Sequence, residues 1–171
     1  MPARKLTNTS YIVLGLLELF GQATPYELKA RMAGSVGDFW SVQHAQLYSE
    51  PERLAADGLV TEEREETGRR RRRYAITRAG RDALDAWRAE PSSAFTELRD
   101  PGLLQLFFGA DPVALAEKQL EIHDEKLAEY RAQEQQLTPS VSPGIRLALE
   151  AGIGHEEEWV RFWGRVLESP A

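Results

Sequence analysis

The chain has 171 residues, 21 Lys and Arg against 27 Asp and Glu, and no cysteine. It is long enough for one domain or two small ones, and it excludes disulfides and cysteine-based metal sites. Without a long apolar run or a secretory signal, a cytoplasmic protein is expected. Residues 1–88 carry 14 Lys and Arg against 12 Asp and Glu, whereas residues 89–171 carry 7 against 15. Only the first half therefore suits a polyanionic partner.

The first two helices are predicted from apolar runs and capping residues. Tyr11–Phe20 is apolar almost all round, and its leucines favour a buried helix that ends at Gly21. The segment Thr24-Pro25-Tyr26-Glu27 has the spacing of a capping box, with proline at the first helical position. It predicts a second helix that ends at Gly34.

A third helix follows a glycine-containing loop. Ser41 is its expected cap, and the helix is predicted to run to about Ala56, where Asp57-Gly58 ends it. Pro51 lies inside this helix, where proline cannot donate a backbone hydrogen bond. We therefore expect the helix to kink or to end near Glu50.

A β-hairpin and a fourth helix complete the first half. The runs Leu59–Glu66 and Arg69–Thr77 flank a predicted turn at Thr67-Gly68, and Thr77 caps a helix over Arg78–Arg88. With that two-residue turn, the facing pairs are Leu59 with Ile76 and Thr61 with Tyr74. Three helices, a hairpin and another helix within 90 residues predict a winged helix-turn-helix domain at residues 1–90.

Five consecutive arginines, Arg69–Arg73, lie at the tip and return strand of this hairpin. They suit a wing that lies along DNA phosphates or in the minor groove. The alternative is a ribbon whose charges cancel across the strands. In the predicted register the opposed pairs are Glu66 with Arg69, Glu65 with Arg70, Glu63 with Arg72, and Glu62 with Arg73. Arg64 would then face Arg71, a like-charge pair that a purely structural ribbon does not need.

The candidate DNA contacts come from three elements. The third helix has polar residues on its first two turns, and glutamine can pair with adenine in the major groove. A solvated polar face is the alternative interpretation. The candidates are Tyr26, Lys29, Ser41, Gln43, His44, Gln46 and Tyr48, together with Arg69, Arg70, Arg71, Arg72 and Arg73.

The second half, residues 91–171, is predicted to be helical. Leu103–Phe108 reads as a short buried helix, and Val113–Leu137 has an apolar stripe at heptad spacing that should pack on a partner helix. With the last helix, Ile145–Leu167, it predicts an antiparallel helical dimerisation domain. The fold class is therefore mainly α with a small β-hairpin. The expected interface residues are Leu120, His123, Leu127, Tyr130, Trp159 and Trp163.

Three tryptophans, Trp87, Trp159 and Trp163, are either core and interface filler or the walls of a cavity for a small aromatic effector. The segment His155-Glu156-Glu157-Glu158 lacks the second histidine of a zinc-protease motif, and no phosphate-binding glycine loop is present. We therefore expect no metal, no cofactor and no enzymatic activity. A hydrogen-bonded structural histidine is the favoured interpretation of His123, with a pH or metal sensor as the alternative.

Several motifs resemble the PadR-like transcriptional regulators in order and spacing. They are Leu14-Gly15-Leu16-Leu17, Tyr26-Glu27-Leu28, Phe39-Trp40, Leu47-Tyr48, Asp57-Gly58-Leu59-Val60 and Tyr74-Ala75-Ile76-Thr77. The resemblance covers about 85 residues specifically. It implies a dimeric winged-helix repressor, often released by a small molecule. In that family a proline usually follows the tyrosine of the third helix, whereas Ser49 stands there in this chain.

The residues thus predict a homodimer that binds an inverted-repeat DNA operator and does not associate with membranes. The resemblance implies a repressor that a small molecule releases, and the tryptophans make a small aromatic compound the candidate effector. Two alternatives remain open. One is a protein–protein adaptor that keeps the winged-helix fold without binding DNA, which the acidic total charge favours. The other is a small enzyme with an aromatic pocket, for which the chain offers no nucleophile–base pair.

Overall fold

The computed structural model describes residues 4–64 and 71–168. No helix in those ranges is long and apolar enough to cross a membrane. The chain forms two compact units, Met1–Ala94 and Phe95–Ala171. In chain order the elements are α1 (Asn8–Phe20), α2 (Pro25–Ala33), a 3-10 turn (Val36–Asp38), α3 (His44–Ala56), β1 (Val60–Arg64), β2 (Arg72–Ile76), α4 (Arg78–Ala89), α5 (Pro101–Phe107), α6 (Pro112–Gln136) and α7 (Pro143–Glu168).

Capping chemistry fixes the ends of α1 and α2. Thr7 caps α1 by accepting from the backbone N–H of Ser10, so the helix begins earlier than Tyr11, where its apolar run starts. Thr24 and Glu27 form the predicted capping box, with bonds of 3.3 and 2.7 Å. α1 ends as predicted at Gly21, whose φ of 76° is the left-handed value that glycine adopts readily.

The start of α3 and the effect of Pro51 differ from the prediction. The helix begins at His44 with Gln43 as its N-cap residue, so Ser41 is not the cap. It also does not end near Glu50, because it continues through Pro51 to Ala56. The Pro51 side chain is fully buried, and this burial offsets the hydrogen bond that proline cannot donate.

The predicted hairpin register is wrong by one residue. Val60 pairs with Ile76, and Glu62 with Tyr74, instead of Leu59 with Ile76 and Thr61 with Tyr74. Burial explains the difference, because a shift by one residue moves a side chain to the other face of the ribbon. The observed register places Val60, Tyr74 and Ile76, all buried, on one face. The turn predicted at Thr67-Gly68 lies outside the described residues.

The core of the first unit lies between the helices and this hairpin. Tyr74 also exchanges two backbone hydrogen bonds with Ala23, of 3.0 and 2.8 Å, so the segment between α1 and α2 extends the sheet on its other side. The largest side chains with less than 2% exposure here are Tyr74, Leu14, Leu17, Leu28, Leu47, Leu54 and Leu84. This core holds α3 and the hairpin at fixed positions in one unit.

In the second unit, α6 and α7 form an antiparallel helical hairpin. Tyr130 lies on Gly152, where an added Cβ would come within 3.1 Å of the ring, and Trp163 is fully buried. The short helix α5 is not buried as predicted, because Leu104, Phe107 and Phe108 are 60–82% exposed. Of the residues of α5, only Gly102 is buried.

Candidate DNA-binding surface

The first two turns of α3 expose polar side chains. His44, Gln46 and Tyr48 are exposed, whereas Leu47 is 2% exposed and Leu54 is fully buried. The apolar residues therefore anchor the helix, and His44, Gln46 and Tyr48 project into solvent. Such a helix can place donors and acceptors against the edges of base pairs.

The other candidates outside the wing lie before α3 or on α2. Ser41 and Gln43 are exposed, but they precede α3 instead of lying on its first turns. Tyr26, on α2, is 73% exposed, and Lys29 on the same helix is partly buried. All four belong to the unit that carries α3.

The described wing arginines make ion pairs that differ from the predicted cross-strand set. Arg72 Nη1 lies 3.0 Å from Glu52 Oε1 of α3, and Arg72 Nε lies 3.7 Å from Glu62 Oε1. Arg73 Nη2 is 3.9 Å from Glu27 Oε2 of α2. The wing therefore contacts both helices of the helix-turn-helix, whereas a self-neutralised ribbon would pair only with itself.

The cross-strand pairs change with the register. Arg64 faces Arg72 instead of Arg71, and Glu63 faces Arg73. The Glu63 carboxylate accepts a hydrogen bond of 2.8 Å from Gln22. Arg71 is exposed, while Arg69 and Arg70 lie outside the described residues.

Hydrogen bonds and neighbouring charges around the wing favour the charged forms of Arg72, Glu62 and Glu27. The hydrogen bond to Glu52 is the main cause that raises the pKa of Arg72 above its ordinary value. The hydrogen bond from Arg64 is the main cause that lowers the pKa of Glu62. For Glu27 the main cause of a lowered pKa is the backbone N–H of Thr24, with Arg73 adding to it. The carboxylates of Glu27 and Glu62 thus stay ionised at neutral pH and offset part of the positive charge of the wing.

The residues predicted for a dimer interface lie in the helical unit, and several are covered within one chain. Leu127 and Tyr130 are 7% and 8% exposed, and Trp163 is fully buried. Leu120 and Trp159 are partly exposed. The partner helix that the heptad stripe of α6 predicts is therefore α7 of the same chain.

The histidine of that stripe belongs to a polar and aromatic cluster. His123 Nδ1 lies 2.5 Å from Glu156 Oε2, and both side chains are nearly buried. The Trp159 ring lies 6.1 Å from His123 and 5.6 Å from His155, measured between centroids. The hydrogen bond agrees with the structural interpretation of His123. Among the described residues, no three His, Asp or Glu side chains are grouped to hold a metal ion.

The three tryptophans do not share one environment. Trp87 belongs to the first unit and stacks on Tyr11 with ring centroids 4.8 Å apart. Trp159 and Trp163 belong to the second unit, and Trp163 has no exposed surface. Of the three, Trp159 is the one that lies beside polar side chains, in the His123 cluster.

Sequence reasoning missed two charged residues on the side of α3 that faces the core: Glu50, which belongs to the helix, and Arg4, which contacts it. Glu50 is 4% exposed and accepts hydrogen bonds from Ser10 and Arg4. The spacing of Leu47, Glu50 and Leu54 was a usable signal, because intervals of three and four residues place all three on one helical face. Nothing local in the sequence indicated Arg4.

Comparisons with known proteins agree for both halves. Residues 13–86 match the transcriptional regulator PadR-like family, and residues 98–169 match the family described as virulence activator alpha C-term. The negative transcriptional regulator PadR of Bacillus subtilis (strain 168) is 24% identical over 172 residues, which cover 92% of this chain and 94% of that protein.

Two crystal structures of Bacillus subtilis PadR superpose on the chain. One, in complex with operator DNA, has a TM-score of 0.79 at 24% identity, covering 93% of this chain and 96% of that one. The other, in complex with p-coumaric acid, has a TM-score of 0.73 at 23% identity with the same coverage. At this identity the likeness shows a common fold, a winged helix followed by a helical region.

Proposed function

This chain belongs to the PadR-like family of transcriptional regulators, and we propose that it acts as a homodimeric repressor that binds an inverted-repeat operator. The relative in Bacillus subtilis is a negative regulator, and its structure with operator DNA has the same fold. Regulation of this kind requires binding without catalysis, so no enzymatic activity is part of the proposal. A cytoplasmic location, with access to the DNA of the cell, is part of the proposal.

The contact between Arg72 and Glu52 carries the proposal. At 3.0 Å it ties β2 to α3, so the wing and the exposed face of α3 form one surface. On that surface His44, Gln46 and Tyr48 contact base edges in the major groove. The arginines of the wing, with Tyr26, Lys29, Ser41 and Gln43, contact the phosphates.

The helical unit supplies the dimer contacts in this proposal. Leu127, Tyr130 and Trp163 hold α6 against α7 within one chain, so the contacts between subunits involve apolar side chains that remain exposed. Those on this unit are Phe95, Leu98, Leu104, Phe107, Phe108, Ile122, Ile145 and Leu147. A second copy would remove them from water, which is favourable at roughly 25 cal/mol per Å². A dimer links two winged-helix units, which we call heads. Once one head is bound, DNA binding by the second is intramolecular, and this strengthens the weak binding of a single head.

The proposed binding position of a small aromatic effector is the cluster around Trp159. The ring offers a stacking surface, and His123, His155 and Glu156 beside it offer hydrogen bonds to polar groups of a ligand. Bacillus subtilis PadR has been crystallised with p-coumaric acid, a small aromatic acid. An effector that shifts the helical unit would change the spacing of the two heads and so release DNA.

Titration of duplex DNA at increasing salt tests this function against the adaptor alternative. We expect the logarithm of the binding constant to fall linearly with the logarithm of salt concentration, with a slope of about −0.9 for each phosphate neutralised. The pairing of Arg72 and Arg73 with glutamates is the observation that favours an adaptor. A flat salt dependence, or no binding at low salt, would support the adaptor and contradict the repressor.

A further inference from the structure

The back of α3 carries a buried polar cluster that links it to the N-terminal segment. Glu50 Oε1 accepts a hydrogen bond of 2.6 Å from Ser10 Oγ of α1 and one of 2.9 Å from Arg4 Nη2. Glu50 is 4% exposed, and its partners are 40 and 46 residues away in the sequence. A buried carboxylate is costly unless it is paired and hydrogen-bonded, so this cluster specifies one position of the helix.

Arg4 holds α3 at a second point. Its Nε donates to Asp57 Oδ2 at 2.9 Å, and Asp57 is the C-cap residue of the helix. Glu50 and Asp57 are about two helical turns apart. The Arg4 guanidinium therefore links the middle of α3 to its C-terminal end. The positive charge of Arg4 near the C-terminus of α3 also interacts favourably with the helix dipole. The Asp57 carboxylate alone, being negative at that end, would be unfavourable.

The cluster lies next to a gap in the backbone hydrogen bonds of the helix. Pro51 follows Glu50 directly and has no N–H to donate to the carbonyl of Leu47. The exposed residues proposed to contact DNA, His44, Gln46 and Tyr48, all precede this gap. The orientation of these residues relative to the core therefore depends on the contacts that hold the helix at Glu50.

We propose that Arg4, Ser10 and Glu50 are positioning residues that set the sequence specificity of α3 without touching DNA. The inference rests on the proposed function, because specificity is the property that it explains. When the cluster is intact, α3 meets base edges in one orientation. When it is broken, the wing still contacts phosphates, but the reading face lies in several orientations.

Arg4→Gln and Glu50→Gln test this proposal, with Arg53→Gln as the matched control. Arg53 also lies near Glu50, at 3.8 Å, but its side chain is 64% exposed. Two duplexes are used: the sequence that the wild-type chain selects from a random library, and a shuffled duplex of equal length and composition. For folded protein we expect both variants to lose about 10-fold in affinity for the selected duplex, while the shuffled duplex changes less than about 2-fold. The control should leave both affinities unchanged.

Amide hydrogen exchange measures the order of α3 in the absence of DNA. We expect protection of the amides of residues 46–50 to fall about 10-fold in the two variants and to stay at the wild-type level in the control. If Glu50→Gln does not fold, the proposal is tested by Arg4→Gln alone, because Arg4 is partly exposed and its substitution is less disruptive. Equal losses on both duplexes, or unchanged protection of α3, would overturn the inference. A wild-type chain that selects no duplex would refute the proposed function, and the exchange result would still decide whether the cluster orders α3.

Discussion

Replacing Arg71, Arg72 and Arg73 together with alanine should lower affinity for every duplex by at least about 100-fold and reduce the salt slope by about 3 for each wing. The slope follows from about 0.9 for each phosphate contact removed. The affinity loss assumes about 1 kcal/mol for each contact, below the usual range for charged hydrogen bonds. We use the lower value because Arg72 and Arg73 already pair with Glu52, Glu62 and Glu27, which compete with phosphate.

The matched control removes three exposed arginines of the helical unit, Arg131, Arg146 and Arg161, by the same substitution. It changes the net charge equally, so a general loss of attraction would appear in both triple variants. Fluorescence anisotropy with one duplex at several salt concentrations measures both quantities. The surface ion pairs of Arg72 and Arg73 contribute little to folding, so thermal stability should be nearly unchanged. Equal affinity of the wing variant and the wild type would assign these arginines to ion pairing alone.

Gly80→Ala should destabilise the winged unit by about 3 kcal/mol, the upper part of the range for overpacking a core. A Cβ on Gly80 would lie 2.2 Å from the carbonyl oxygen of Leu59 and 2.9 Å from Ile76 Cγ1. The Leu59 carbonyl cannot move away easily, because it accepts hydrogen bonds from the backbone N–H and the hydroxyl of Thr77. The packing of α4 on the root of the hairpin therefore requires glycine at this position.

Thermal unfolding followed by circular dichroism measures this effect, and the melting temperature should fall by roughly 12–24 °C for a unit of this size. Gly15→Ala is the matched control. Gly15 lies inside α1, and no atom lies within 4 Å of the position of an added Cβ. Alanine there should raise the free energy of unfolding by about 0.5–1 kcal/mol. A melting temperature for Gly80→Ala equal to that of the wild type would mean that α4 does not pack this closely on Leu59.

The parts of the fold that depend on local chemistry could be predicted from the sequence. The capping box at Thr24, the glycine end of α1 at Gly21 and the cap of α4 at Thr77 are all present. Each depends on residues within one helical turn, and such preferences hold in many tertiary contexts. The two long helices α6 and α7 also followed from apolar periodicity.

The features that depend on tertiary packing could not be predicted. The hairpin register depends on which face meets the core, and the burial of Val60 outweighs the preferred turn length. α3 continues through Pro51 because a buried ring stabilises it, which helix propensity does not include. The heptad stripe of α6 indicated a partner helix correctly, but periodicity cannot tell whether that helix belongs to the same chain or to another.

The candidate site shows the same division. The exposed polar residues of α3 were visible from their spacing around Leu47. The partners of Arg72 and Arg73 were not, because Glu52 and Glu27 come from helices that are distant in the sequence. Arg4 and Glu50 are 46 residues apart and meet only in the folded unit.

Selection of bound sequences from a library of random duplexes tests most directly whether α3 and the wing read DNA as a pair of heads. We expect an enriched inverted repeat whose half-site centres are separated by one helical turn, about 10 base pairs, or a multiple of it. Enrichment of nothing, or of a single half-site without its inverted copy, would contradict a dimer that binds through two such surfaces.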